Sequence, residues 1–526
     1  MRIGIVEILY PSRVMRPDDF LGRFIATKQY ASIMPQAVSV WCQEAGHEVF
    51  YGTWYGHGNP DATVPHDLDF LFVSSSTPNS HVGYMLAKLH RRRGATTVLG
   101  GSHARAFPVD ALRYFDHVVL DCDRQLIREI LRGEHAPGTV INSPRPLKEL
   151  PLLEQRIPEV KKSAFWLGRY RYPSTAIPML SSVGCPYSCD FCSDWNSTYN
   201  MLPDQLEADL RYAARNLPGM RLIFHDPNFG VQFDRTLEII ERVENMNPYW
   251  IESSMAILNK PDRLERLAAS NCRFVAPGVE SWKGYGNKAG VGSMAGREKL
   301  ETVVGQLRAI YDQIPGMQYN VMFGLDVDEG REPVELTMEL IRECAFGYPA
   351  VNIPVPFGGT PLFNSYMKQD RVLKTMPFMF YYWPYAALRP VNYDPVTYYE
   401  HLIEIFRLSS STRMLLKRLK ETKKPALKTI QALRTYSQRR GVRQLQEIHQ
   451  ALTTDRQVRS YHDGSSKQLP DFYKAQARKI LGQFEQLFPE GDWTPDLSQH
   501  DVRAAPRLAA VRLPGGSSDD QDATLK

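Results

Sequence analysis

The sequence predicts an α/β protein: an open parallel sheet wound with helices, then a partial parallel barrel of six strand–helix units, then a mainly helical region. Three observations predict it. Short apolar runs alternate with helix-period stretches over the first 135 residues, and the alternation resumes from about Met179 to Pro354. A proline-rich stretch separates the two series, and after Pro361 the strand pattern stops. A chain of 526 residues is also too long for one ordinary core.

In the first series the strand-like runs are Ile3–Val6, Glu48–Tyr51, Leu68–Val73, Thr97–Leu99 and His117–Leu120. Helix-like stretches lie near Ser32–Ala45, His81–Arg93, Val109–Tyr114 and Arg124–Leu131. Five strands with interleaved helices predict a flavodoxin-like parallel sheet over residues 1–135. Such sheets bind ligands beyond the carboxyl ends of their strands. The turns there are Ser74-Ser75-Ser76-Thr77 and Gly100-Gly101-Ser102-His103, small and polar as a close approach of ligand to backbone requires. Residues 136–175, with prolines from Pro137 to Pro173, read as a linker.

The second series, residues 176–358, has candidate strands Met179–Val183, Arg221–His225, Trp250–Ser254, Arg273–Pro277, Gln318–Phe323 and Val351–Pro354. Its helices fall near Asp204–Asn216, Asp234–Met246, Pro261–Ala269, Gly296–Tyr311 and Pro333–Phe346. Six such units predict a partial barrel with chemistry at its C-terminal mouth. Residues 359–500 read as helical, with the aromatic run Phe378–Tyr385 expected to pack rather than bind, and a last helix near Phe472–Leu487. Residues 501–526 read as a disordered tail.

Charge and composition narrow the function. No apolar run is long enough to span a bilayer, and the opening residues lack the layout of a secretory signal, so a cytoplasmic setting is expected. Seven scattered cysteines argue against a disulfide framework. The net charge of +5 is uneven: Arg413–Arg443 holds eleven Lys or Arg against Glu421, and a solvated helical face is expected there. Nucleic acid is not an expected partner.

Three of the cysteines stand apart. Cys185-Pro-Tyr-Ser-Cys189-Asp-Phe-Cys192 places three thiols within eight residues, a concentration of soft ligands that suits zinc or an iron–sulfur cluster. Structural zinc wants a fourth ligand nearby, and the next twenty residues on either side offer no further Cys or His. The site therefore has an open position. Cys42, Cys122, Cys272 and Cys344 sit in apolar surroundings and are expected to pack.

The C-x3-C-x2-C spacing, with Phe191 before the last cysteine, resembles the signature of the radical S-adenosylmethionine (SAM) superfamily. That resemblance implies a [4Fe–4S] cluster on Cys185, Cys189 and Cys192 whose fourth iron chelates SAM. An electron then splits SAM into methionine and a 5′-deoxyadenosyl radical, which takes hydrogen from an unactivated carbon. Further positions resemble the family in order along the barrel. Asp226 and Asn228 end the second strand, Glu280 and Ser281 the fourth, and Gly324 the fifth, and with Phe191 they are the SAM contacts that the resemblance implies.

A flavodoxin-like unit before such a barrel resembles the cobalamin-dependent class. Val98-Leu-Gly-Gly-Ser-His-Ala-Arg-Ala-Phe-Pro108 is similar to a stretch common in that class, and with Phe72–Thr77 it implies that Ser74, Ser75, Ser76, Thr77, Gly100, Gly101 and His103 cradle the corrin. Two departures are visible. The region around His57 lacks the Asp-x-His-x-x-Gly that ligates cobalt from below, and Asp121-Cys-Asp123 stands where relatives carry Gly-Glu-Gly-Glu. The resemblance implies a methyltransferase acting on a small biosynthetic molecule, fed by a low-potential donor such as ferredoxin or flavodoxin. Its alternative is radical oxidation, cyclisation or rearrangement without methyl transfer.

Overall fold

The computed structural model describes residues 1–9, 32–145, 147–171, 175–195 and 197–498; the expected tail lies outside these residues. The first sheet has six parallel strands, β1 (Arg2–Ile8), β2 (Glu48–Trp54), β3 (Phe70–Ser74), β4 (Thr96–Gly100), β5 (His117–Val119) and β6 (Thr139–Ile141), in the order β2-β1-β3-β4-β5-β6. The first five follow the flavodoxin order, whose switch point lies between β1 and β3. Both faces are covered, as a parallel sheet requires. Ile3 and Ile5 pack on one side with Trp41, Ile127 and Ile130, while Val6, Val73, Leu99 and Val118 pack on the other.

The stretch read as a linker is structured. Thr139–Ile141 adds the sixth strand, and Leu153–Ala164 forms a helix despite Pro158. That helix is held by a buried Arg156, which donates to Asp209 Oδ2 at 3.0 Å, to Gln36 Oε1 at 3.0 Å and to the Pro151 carbonyl at 2.8 Å. One guanidinium thus ties the first sheet's helix Ile33–Glu44 to the first barrel helix, Pro203–Asn216.

The barrel strands are β7 (Ala176–Met179), β10 (Arg221–Phe224), β11 (Tyr249–Glu252), β12 (Cys272–Ala276), β14 (Gly316–Met322) and β15 (Tyr348–Asn352), all parallel and paired in chain order. A two-residue hairpin, β8 (Ser182–Val183) with β9 (Asn200–Met201), and a short β13 (Gly278–Glu280) sit at the mouth. The first strand lies a few residues earlier than the pattern predicts. It carries Pro178, tolerated because β7 is an edge strand. On β14 the buried Tyr319 and Val321 pack outward on the helices, and the half-exposed Gln318, Asn320 and Met322 alternate with them along the lumen.

The C-terminal helices share one continuous core with the second face of the first sheet and with barrel residues Phe323, Val351 and Ile353. This region therefore joins the two sheets. The aromatic run packs as expected, with Phe378, Phe380 and Tyr381 buried, although it forms a short turn of helix and not a long one. Among the described residues no helix is long and apolar enough to cross a membrane.

Candidate active site

The three cysteines lie on the loop between the hairpin strands β8 and β9. Gly184 opens it with φ +69°, and a Cβ there would collide with the Thr198 carbonyl where the two arms of the loop cross. Inside the loop the Cys185 amide donates to Ser197 Oγ at 3.0 Å, the Cys192 amide to the Cys189 carbonyl at 3.1 Å, and the Asp194 amide to Cys192 Sγ at 3.4 Å. An N–H aimed at a sulfur is one of the means by which proteins tune cluster thiolates. The loop is anchored outside as well. Tyr285 donates to Asp190 Oδ1 at 2.6 Å, and the Leu362 amide donates to the Asp190 carbonyl at 3.1 Å.

All three thiols are free and half-buried, and burial pushes each above its ordinary pKa, Cys192 to about 11. The Lys288 ammonium works against that rise in all three. Among the described residues no three Cys, His, Asp or Glu side chains converge on one point as ligands of a single metal ion do. Thiols that each take a separate iron of a cluster need not converge, so the donor set fits a four-iron cluster with one iron left open.

The strand-end residues divide sharply by partner. Glu280, at the end of β13, is nearly buried with φ +61° and receives the Lys288 ammonium at 2.6 Å. Phe191 packs edge-on against Tyr285 at 5.0 Å between centroids, with Lys288 5.6 Å from its ring centre. These residues gather with the cysteines. Asp226, by contrast, is buried and spent: it accepts from the Ser181 amide at 3.0 Å, from Ser181 Oγ at 2.5 Å and from Ser182 Oγ at 2.8 Å. It braces the start of the cluster loop. Asn228 is turned to Ser254, whose amide donates to it at 2.9 Å. Ser281 donates to Asp328 Oδ1 at 3.1 Å, and Asp328 in turn receives the Gly324 amide at 2.8 Å. Gly324 does not open toward the lumen. Its φ is +98°, and a Cβ would lie 2.5 Å from the Tyr398 ring, so the missing side chain makes room for a C-terminal helix.

Two residues of the mouth were not expected from the sequence. Lys288 follows Glu280 by eight residues on a short helix, Gly286–Ala289, and nothing in its local pattern marks it. Glu252 ends β11; it is open to solvent yet ringed by protein, and that desolvation raises its carboxyl while Lys288 opposes the rise. A search for charged side chains at strand ends would have found it.

At the ends of β3 and β4 the two small-residue turns are stitched together. The Ser75 amide donates to the Gly100 carbonyl at 3.3 Å, and the His103 amide to the Ser75 carbonyl at 3.1 Å. Gly101 has φ +91° and sits so close that a Cβ would lie 2.8 Å from the Ser75 carbonyl, whereas a Cβ on Gly100 would meet nothing within 4 Å. Gly101 and Ser102 are exposed, and Ser74, Ser76 and Gly100 partly so. Together they form a shelf lined only by glycine and small serine side chains, on which a ligand can approach the backbone closely. Ser75, Thr77 and His103 lie beneath it. His103 is fully buried between Tyr84 and Thr77, with its ring 5.0 Å from that of Phe378, so it supports the shelf instead of facing a ligand.

The shelf and the cluster loop are neighbours. Arg105, two residues after His103, ion-pairs with Asp121 and reaches Asp194 of the cluster loop at 3.8 Å.

No known family profile matches the chain. Over 325 residues it is 23% identical to a bacteriochlorophyllide d C-12(1)-methyltransferase of Chlorobaculum tepidum, covering 59% of this chain and 68% of that enzyme. A bacteriochlorophyllide d C-8(2)-methyltransferase of the same organism is 24% identical over 327 residues, 58% of this chain and 70% of its own. The cobalamin-dependent SAM radical enzyme OxsB, solved with aqua-cobalamin bound, superposes with a TM-score of 0.55 at 13% identity over 94% of this chain and 78% of that one. The fold is that of the cobalamin-dependent radical SAM enzymes. In this fold the three-cysteine loop, Glu280 and Lys288 occupy the barrel mouth, and the shelf on β3 and β4 borders it.

Proposed function

We propose that this chain is a cobalamin-dependent radical SAM methyltransferase that places a methyl group on an unactivated carbon of a small biosynthetic molecule. One observation carries the reading: the three-cysteine loop and the shelf of glycines and serines lie side by side, joined through Arg105 and Asp194. A cluster and a corrin held there would border one chamber. Both C. tepidum relatives are named as methyltransferases, which favours methyl transfer over other radical chemistry.

When bound, the cluster supplies the electron that splits SAM, and the corrin carries the methyl group in transit. The chain does the rest. Cys185, Cys189 and Cys192 hold three irons, and Glu280 accepts a hydrogen bond from an ammonium. Ser74, Ser76, Gly100 and Gly101 let a flat ring approach the backbone, and the barrel wall keeps water from the radical. Residues 1–135 are the corrin unit, 176–358 the SAM unit, and 359–500 close the substrate side. The electron comes from a ferredoxin or flavodoxin in the cytoplasm.

The test is anaerobic reconstitution with iron and sulfide, followed by equilibration with hydroxocobalamin and desalting. The chain should retain about four irons and one corrin, and dithionite with methyl-labelled SAM should yield 5′-deoxyadenosine. Replacing all three cysteines by Ala should abolish iron binding. Recovery of fold and activity with zinc alone would sink the radical reading. A retained cluster without a retained corrin would move the reaction to oxidation, cyclisation or rearrangement.

A further inference from the structure

Far from the mouth, at the N-terminal ends of the barrel strands, the chain presents large apolar side chains to solvent in one place. The turn between helix Leu153–Ala164 and β7 carries Trp166, Leu167 and Tyr170, which are 49%, 70% and 58% exposed. Among the described residues no other five consecutive positions expose three such side chains, and a concentrated apolar patch marks a contact surface. The turn is well tied. Trp166 and Tyr170 exchange backbone hydrogen bonds at 2.8 and 2.9 Å, the Gly168 amide donates to the Phe165 carbonyl at 3.2 Å, and buried Phe165 roots the turn in the barrel core. Arg171 donates to the Pro218 carbonyl at 3.5 Å, which fixes the turn beside the end of helix Pro203–Asn216. Leu167 stands at the tip with φ +51°, a region that a bulky residue seldom adopts. An exposed leucine on a left-handed backbone is not explained by the fold alone.

The surrounding charge has one sign. Residues 160–189 hold Lys161, Lys162, Arg169 and Arg171, all exposed, and no Asp or Glu. A second basic cluster stands at the same end of the barrel: Lys420, Lys423 and Lys424 are exposed at the turn between helices Thr412–Glu421 and Pro425–Thr454. The Lys423 amide donates to Tyr311 Oη at 3.0 Å, and Tyr311 lies in the last turn of the helix that leads into β14. Lys423 also pairs with Asp312 at 3.4 Å, whereas Lys420 and Lys424 form no ion pair among the described residues. Trp and Tyr favour the boundary between hydrocarbon and water, and Lys and Arg are drawn to anionic headgroups. A nucleic-acid strand would use the rings and the charges, but it has no use for an aliphatic tip.

We propose that the N-terminal end of the barrel docks on an anionic lipid surface, with Leu167 and Trp166 entering the headgroup boundary and the two basic clusters lying on the phosphates. This is peripheral attachment through a short turn, and no described helix needs to span the bilayer. The mouth then opens away from the lipid. Because the docking face lies at the far end of the strands from the three cysteines, lipid binding and cofactor binding stand or fall separately.

The test is co-sedimentation of the full chain with vesicles of mixed phosphatidylglycerol and phosphatidylcholine, and with phosphatidylcholine vesicles alone. The chain should bind the anionic vesicles, release them as salt is raised, and bind the neutral ones about 10-fold or more weakly. Leu167→Asn is the decisive variant. Asparagine tolerates the left-handed backbone, so urea unfolding should show stability equal to wild type or greater. Its vesicle affinity should nevertheless fall about 10-fold with the lost aliphatic burial. Leu167→Gly, which also suits that backbone, takes its place if the first variant is less stable. Replacing Lys420 and Lys424 by Ser should cost about 5-fold for each charge removed. Brominated acyl chains should quench part of the tryptophan fluorescence, and Trp166→Phe should remove that quenching. No binding of the wild-type chain to the anionic vesicles would overturn the proposal, including the case in which it retains a poly(U) strand instead. Undiminished vesicle binding by a folded Leu167→Asn or Leu167→Gly chain would overturn it as well.

Discussion

A carboxylate at the end of a barrel strand can meet a ligand or brace a loop, and its partners decide which. Asp226 lies two residues past β10 and Glu280 ends the short mouth strand β13, yet the two look alike in the sequence. Asp226 has three donors from Ser181 and Ser182, while Glu280 has the Lys288 ammonium. The serines are adjacent to each other but 45 residues away from Asp226, so no local pattern could show that the aspartate was already satisfied. Asp226→Asn is expected to lower the iron retained after reconstitution and to cost about 1–3 kcal/mol of stability, because one acceptor becomes an amide donor facing a hydroxyl. Iron analysis and urea unfolding check this. A variant with normal iron and stability that binds SAM weakly would make Asp226 a ligand contact after all. The cysteines are the opposite case. Their spacing alone placed them in one loop, since eight consecutive residues cannot lie far apart.

At the scale of elements, regular periodicity was legible and interruptions were not. Most of the predicted strands and long helices appear within a few residues of their places, because alternation of buried and open positions is written locally. The strand Thr139–Ile141 was lost among Pro137 and Gly138, and the helix Leu153–Ala164 was hidden by its internal Pro158. Tertiary contacts with the first sheet and with Asp209 override both signals. The basic segment departs from a solvated face in the same way. Arg418 is buried and donates to the Ser409 carbonyl at 2.7 Å, and Arg434 lies 4.5 Å from the centre of the Tyr348 ring, so part of that charge locks helices onto the barrel. Gly324 gives this packing a direct test. Gly324→Ala combines an unfavourable φ with an overlap on Tyr398, and a loss of about 2–4 kcal/mol is expected. In a Tyr398→Ala background the overlap is gone and the penalty should shrink, which a double-mutant cycle by urea unfolding reads out. An equal penalty in both backgrounds would show that Tyr398 does not set the requirement.

At the scale of the molecule, the shelf beside the cluster loop is held up from the C-terminal end of the chain. Tyr84 donates to Asp110 Oδ2 at 2.5 Å, and Asp110 also receives the Asp496 amide at 2.7 Å. With its proton on Asp110, Tyr84 can only accept from Nε2–H of His103, 2.5 Å away, which leaves Nδ1 to accept from Thr77 at 3.3 Å. The line from Asp496 to Thr77 therefore needs a neutral imidazole with its proton on Nε2. Burial enforces it, lowering His103 from 6.5 to about 3. Between those values the unfolded chain binds a proton at this site that the folded chain does not. The stability it contributes is complete above pH 6.5 and is lost as pH falls toward 3, at about 1.4 kcal/mol per pH unit. His103→Gln keeps a donor and an acceptor but cannot titrate. Its destabilisation relative to wild type should be largest at pH 7.5 and shrink at pH 6.0 and again at pH 5.0, as read from urea midpoints. A penalty constant over that range would mean that His103 takes up its proton while folded, and that the hydrogen-bonded line beneath the shelf tolerates a charge.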